Sequence, residues 1–152
     1  MIKTKAAFRA LRESCGMTQR DVADEAGVAV FSVKRWENED DSSHQPPDDV
    51  WEWLVECHQG MVAEARESAA EVLALADEER NEGPIAIRYY RTQEALDEAQ
   101  LPMGMDRPVG YVNAIAMRSA EIIEEAGRET VLAYDCSMAV EPVEGYAIQP
   151  FE

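Results

Sequence analysis

The segment Met17–Asn38, MTQRDVADEAGVAVFSVKRWEN, restricts the fold of this chain more than any other. A Thr18-Gln19 pair stands where a helix is capped, and Val22, Ala23 and Ala26 then line one face of a short helix. Gly27 breaks that period. Val28, Val33 and Trp36 resume an apolar stripe on a second short helix, expected to begin near Ala29. Upstream, Lys3 to Glu13 carries Ala6, Ala7, Ala10 and Leu11, with Phe8, at helical spacing. That predicts a first helix closing over the pair and ended by Gly16.

Two short helices around a glycine turn at this spacing form the helix-turn-helix pattern. Its second helix reads base edges while the first crosses the nucleic-acid backbone. The residues resemble the Cro/C1-type (Xre-like) repressor family in the TQ start, the Val22-Ala23 pair, the turn glycine and the terminal Trp36-Glu37. The resemblance implies a DNA-contacting set. Thr18 caps the first motif helix, and Gln19 reaches a phosphate or supports a base contact. Ala29 stands at the entry of the recognition helix, with Val30, Phe31, Lys34 and Arg35 facing the groove. Ser32 suits either a phosphate or a bond to its own helix backbone, and Asn38 takes the place of a small or polar residue at the backbone. Arginine pairs bidentately with guanine and lysine serves guanine or phosphate, so Lys34 and Arg35 suit this role chemically. Val30 and Phe31 depart from the family's polar residues and suit thymine methyls or a protein neighbour. The resemblance also implies a structural ion pair between Arg12 and Glu37. Lys3, Lys5 and Arg9 are weaker phosphate candidates.

The net charge of −17 opposes binding to a polyanion until it is divided along the chain. Residues 1–40 hold seven basic and seven acidic side chains, and the first twenty are five to one basic. Beyond residue 40, 7 basic residues face 24 acidic ones. The acidic remainder disfavours loose docking on DNA without excluding specific binding. No apolar run is long enough to span a bilayer, so no membrane partner is expected. Three widely spaced cysteines (Cys15, Cys57, Cys136) argue against a disulfide frame and for a reducing, cytoplasmic setting.

After Asn38, the polar stretch EDDSSHQPP reads as a loop. Asp48 or Asp49 is then expected to cap a long helix with a stripe from Val50 and Leu54 through Met61 and Ala69 to Ala76. It should run to about residue 80 unless Gly60 splits it. One narrow stripe of that length needs a partner surface, from the same chain or a second copy. Of Trp51 and Trp53, one is expected on the helix-turn-helix body and the other is a candidate subunit contact. Asn81–Pro84 is a turn and Ile85–Tyr90 a strand. Thr92 begins a short helix, Val109 to Ala126 forms an amphipathic one ended by Gly127, and Glu129–Asp135 is a second strand. Residues 136–152 lack a clean period and read as an extended tail.

The fold class expected is therefore mainly α. A helix-turn-helix domain at residues 1–45 leads into a dimerisation region at 46–152, composed of a long helix and a small α+β unit with two short strands. Two strands alone are marginal, which makes pairing across a dimer axis an attractive completion. Segment order, with Pro47–Val50 and the IRYY strand, is also similar to small phage and plasmid repressors such as the anti-CRISPR-associated autorepressors.

The function expected is a non-enzymatic, sequence-specific transcriptional regulator, a repressor binding double-stranded DNA as a homodimer on an inverted repeat. The alternative is a protein-interaction module, an antitoxin or acidic adaptor with a degenerate helix-turn-helix. No cofactor is expected, since GxSxG, P-loop, GxGxxG and HExxH motifs are lacking. Cys57 and His58 with distant His44 fall short of the four convergent donors a metal requires. Any protein or small-molecule effector is left open.

Overall fold

The computed structural model describes residues 1–134; Cys136 and the expected C-terminal tail lie outside the described residues. The elements in chain order are α1 (Lys5–Ser14), α2 (Gln19–Ala26), α3 (Val30–Glu37), α4 (Asp48–Glu78), β1 (Ile85–Arg88), α5 (Gln93–Gln100), α6 (Val109–Glu125) and β2 (Thr130–Ala133). The mainly helical class, the long helix and the two short strands are as expected.

Several boundaries differ from the sequence reading for local reasons. Helix α1 starts at Lys5 because the Thr4 hydroxyl accepts the Ala7 N–H at 3.0 Å. Its buried face is Phe8, Leu11 and Arg12, while Ala6 and Ala10 are exposed. Val28 is not part of α3. It lies in the turn, exposed, and its N–H closes α2 on the Ala23 carbonyl at 3.0 Å. Neither Asp48 nor Asp49 caps α4, whose N-cap is Pro47; Asp48 is the first helical residue and pairs with Lys3 at 3.0 Å. Proline suits that place because the first N–H groups of a helix have no partner in the helix.

Helix α4 is the spine. Its 31 residues extend about 46 Å and run through Gly60 without a break. The glycine is tolerated because α6 packs there: Tyr111 donates its hydroxyl to the Cys57 carbonyl at 3.1 Å. The partner surface that the narrow stripe requires comes from the same chain, in two parts. Val50, Trp51 and Leu54 complete the core of the helix-turn-helix with Phe8, Leu11, Cys15, Val22, Val33 and Trp36. Trp51 packs on Phe8, and Trp53 is half-buried at the edge of this core. Further along, Met61, Ala65 and Ala69 pack with Ile115 and Ile123 of α6. Small residues on both helices (Ala65 and Ala69, Ala116 and Ser119) permit close approach, and Ser119 bonds the Ala65 carbonyl at 3.3 Å.

Strands β1 and β2 pair with each other in parallel, Ile85 opposite Thr130 and Arg88 opposite Ala133. Ile85 and Ile87 seat the sheet against Ala69 and Ala76 of α4 and Ile122 and Ile123 of α6. Three buried or half-buried amides fix the crossover. Asn113 bonds both the N–H and the carbonyl of Tyr90 at 2.8 Å, Gln100 brackets the backbone of Arg107, and Gln93 accepts the Val109 N–H that starts α6.

A close backbone contact also ties the end of α1 to the start of α6. Gly16, at φ +66, follows α1 with its N–H on Glu13 and the Met17 N–H on Arg12, a left-handed termination. Its backbone lies directly against that of Gly110 in the first turn of α6, leaving no room for a Cβ on either residue.

Candidate nucleic-acid interface

The motif is built from its caps inward. The Thr18 hydroxyl accepts the Asp21 N–H at 3.1 Å, and the Asp21 carboxylate accepts the Thr18 N–H at 2.7 Å, a closed capping box. Gly27, at φ +66, ends α2 in the left-handed conformation that side chains with a Cβ disfavour. Helix α3 then buries Val33 and Trp36, with Trp36 set edge-on to Phe8 at 6.1 Å. This anchoring determines which side of α3 faces outward.

At its far end α3 is clamped. Arg12 donates from Nε and Nη2 to the two carboxylate oxygens of Glu37, at 2.5 and 3.0 Å, and from Nη1 to the Met17 carbonyl at 2.8 Å. The side chains are only 10% and 5% exposed, so the pair expected from the resemblance is a buried one that joins α1 to α3. Gln19 adds a third bond to Glu37, at 2.9 Å. Its amide therefore has a structural partner within the motif.

The other motif residues divide as follows. Thr18, Ala29 and Asn38 are exposed. Asn38 ends α3 and accepts the Asp40 N–H. Val30 is half-buried against the core, and Ser32 is half-buried. Phe31 is 66% exposed, a large apolar ring facing solvent. Lys34 is exposed and has no hydrogen bond or ion pair among the described residues. Arg35 is 38% exposed, its guanidinium 5.6 Å from the Phe31 ring centroid and its Nε bonded to Asp41 at 2.8 Å. Phe31, Lys34 and Arg35 thus form the outward face of α3.

The weaker phosphate candidates are engaged within the protein. Lys5 donates to the carbonyls of Arg35, at 2.7 Å, and His44, tying α1 to the end of α3 and the loop after it. Lys3 pairs with Asp48 and sits over Trp51, and Arg9 pairs with Glu13. Of the five basic residues among the first twenty, Lys5 and Arg12 are therefore bound into the fold, while Lys3, Arg9 and Arg20 stay exposed in surface pairs.

Sequence reasoning missed Asp41. Its carboxylate takes Arg35 on one oxygen and, on the other, the Ser43 N–H, the Ser43 hydroxyl and His44 Nδ1. Bonds from His44, then Arg35, then Ser43 hold this carboxyl well below the usual carboxylate range, so it stays charged. A loop acid six residues past a helical arginine has no periodic signal, so only the folded loop reveals the pair.

The geometry is that of a helix-turn-helix, and residues 8–50 match the helix-turn-helix family model. Residues 8–50 form a helix-turn-helix of the Cro/C1 (Xre-like) type, which supports a DNA-binding regulator of transcription. No curated protein matches the chain at a significant level. No helix among the described residues is long and apolar enough to cross a membrane.

Proposed function

We propose that this protein is a repressor that binds an inverted repeat as a homodimer, with α3 in the major groove. The observation that carries the reading is the outward face of α3. Among the described residues Lys34 lacks a protein partner and Arg35 keeps both Nη nitrogens uncommitted, with the Phe31 ring beside the guanidinium. Arginine and lysine at one face suit guanine and phosphate, and an apolar ring suits a thymine methyl. Thr18, Gln19, Ser32 and Asn38 would flank the phosphate chain, with Ala29 and Val30 at the helix entry. Gln19 can do so only from its place on Glu37.

A single recognition helix covers few base pairs, so two copies with half-sites about 34–36 Å apart give the usual geometry. Residues 46–152 would supply the contacts between copies, and occlusion of polymerase would give repression. The test is binding-site selection from fragments of the source genome with the intact chain, followed by titration of the recovered duplex against salt. A repressor of this kind enriches a two-fold symmetric sequence, and its log affinity falls linearly with log salt. Uniform, negligible binding to every duplex would replace this reading with the protein-interaction module, which the exposed Phe31 favours.

A further inference from the structure

We propose that Asp41 is a positioning residue for base recognition, holding the guanidinium of Arg35 in the orientation that reads one base pair. The inference rests on the reading above, in which Arg35 meets DNA. A free arginine on a helix surface samples many rotamers, and ordering it on binding opposes affinity. Here two side-chain contacts, and a third at the backbone beneath them, restrict it beforehand. Asp41 Oδ2 takes the Nε–H at 2.8 Å, and the Phe31 ring lies 5.6 Å from the guanidinium carbon. Lys5 bonds the Arg35 carbonyl at 2.7 Å.

The carboxylate is itself supported. Asp41 is 16% exposed, and its other oxygen receives Ser43 N at 3.2 Å, Ser43 Oγ at 2.8 Å and His44 Nδ1 at 2.9 Å. The Asp41 N–H closes on the Asn38 carbonyl at 3.1 Å, and Lys5 also holds His44. The loop after α3 is therefore wrapped around the group that grips Arg35. Using Nε for Asp41 leaves Nη1 and Nη2 as a two-pronged donor, which matches the O6 and N7 acceptors of guanine.

The experiment uses the intact chain and the duplex enriched by selection, a set of that duplex with each half-site base pair substituted singly, and random duplex. Binding is measured at one salt concentration for the wild type, Arg35→Ala, Asp41→Ala and Asp41→Asn, with folding checked by circular dichroism. Arg35→Ala should weaken the selected duplex roughly 5- to 150-fold and abolish discrimination at one base pair. Asp41→Ala should weaken it about tenfold, flatten discrimination at that same base pair, and leave random duplex within about twofold. Asp41→Asn, which retains an acceptor oxygen, should fall between Asp41→Ala and wild type, and it carries the test alone if Asp41→Ala fails to fold.

Loss of affinity spread equally over all duplexes would make Asp41 merely structural and overturn the inference. Tighter binding to every duplex would make it an intramolecular competitor of phosphate and overturn it too, as would no change. If Arg35→Ala itself flattens no base pair, the base-reading role of Arg35 fails. If Arg35→Ala does and neither Asp41 variant does, only the positioning role fails.

Discussion

Gly110→Ala is expected to destabilise this protein, although alanine is the better helix former. Gly110 lies in the first turn of α6 with no positive φ, so alanine can adopt its backbone conformation, with a gain of up to ~1 kcal/mol in helix propensity. The new Cβ, however, would stand 2.9 Å from the Gly16 carbonyl carbon, and nearer still to its oxygen. The oxygen contact is the tighter one, and opening it to the 3.0 Å that a real Cβ requires means the two backbones must separate by more than 1 Å. Gly16 cannot readily turn away. It is left-handed at φ +66, and the bonds Gly16–Glu13 at 2.9 Å and Met17–Arg12 at 3.1 Å hold it there.

Overpacking of this kind costs typically ~1–3 kcal/mol, and losing one of those bonds adds about 1 kcal/mol. The net expectation is a loss of about 1–3 kcal/mol in urea unfolding. Gly60→Ala is the control of opposite sign. Its Cβ would meet only the Tyr111 hydroxyl at 3.4 Å, in the middle of α4, so it should stabilise by up to ~1 kcal/mol. Equal, stabilising shifts from both variants would refute the close contact between Gly16 and Gly110.

Three further outcomes follow from the geometry. Arg12→Ala leaves Glu37 buried with Gln19 alone, and should cost about 3–5 kcal/mol in urea unfolding, whereas Arg9→Ala, at an exposed pair, should leave the unfolding midpoint nearly unchanged. Lys34→Ala should weaken selected and random duplexes alike and reduce the slope of log affinity against log salt by about 1; an unchanged slope would remove Lys34 from the phosphate contacts. The Cys15 thiol is pushed up to about 12 from 9.0, by burial first and then by Cys57. A raised folded value favours the protonated thiol, so stability is intact below about pH 9 and falls as pH rises toward 12, by at most ~1.4 kcal/mol per pH unit for this group. Thermal unfolding between about pH 8 and 11 should show a shallower decline in Cys15→Ala, and parallel curves would contradict the assignment.

The sequence itself decided the elements with strong local signals. Thr18, Gly27 and the Val33–Trp36 spacing specify the caps, the turn and the buried side of α3, because capping and left-handed turns depend on neighbours in the chain. The long period from Val50 to Ala76 specified α4 for a similar reason, and the Arg12–Glu37 pair was legible from family resemblance. Tertiary structure decided what those elements touch. It placed Gly16 against Gly110, covered the α4 stripe with α6, and paired two short strands in parallel within one chain. It also tied Lys5 to the end of α3 and set Asp41 on Arg35, six residues away across a loop without periodicity. Side-chain chemistry and helical period are properties of a segment. Which charge remains free to meet a phosphate or a base depends on distances that arise only when segments are packed together.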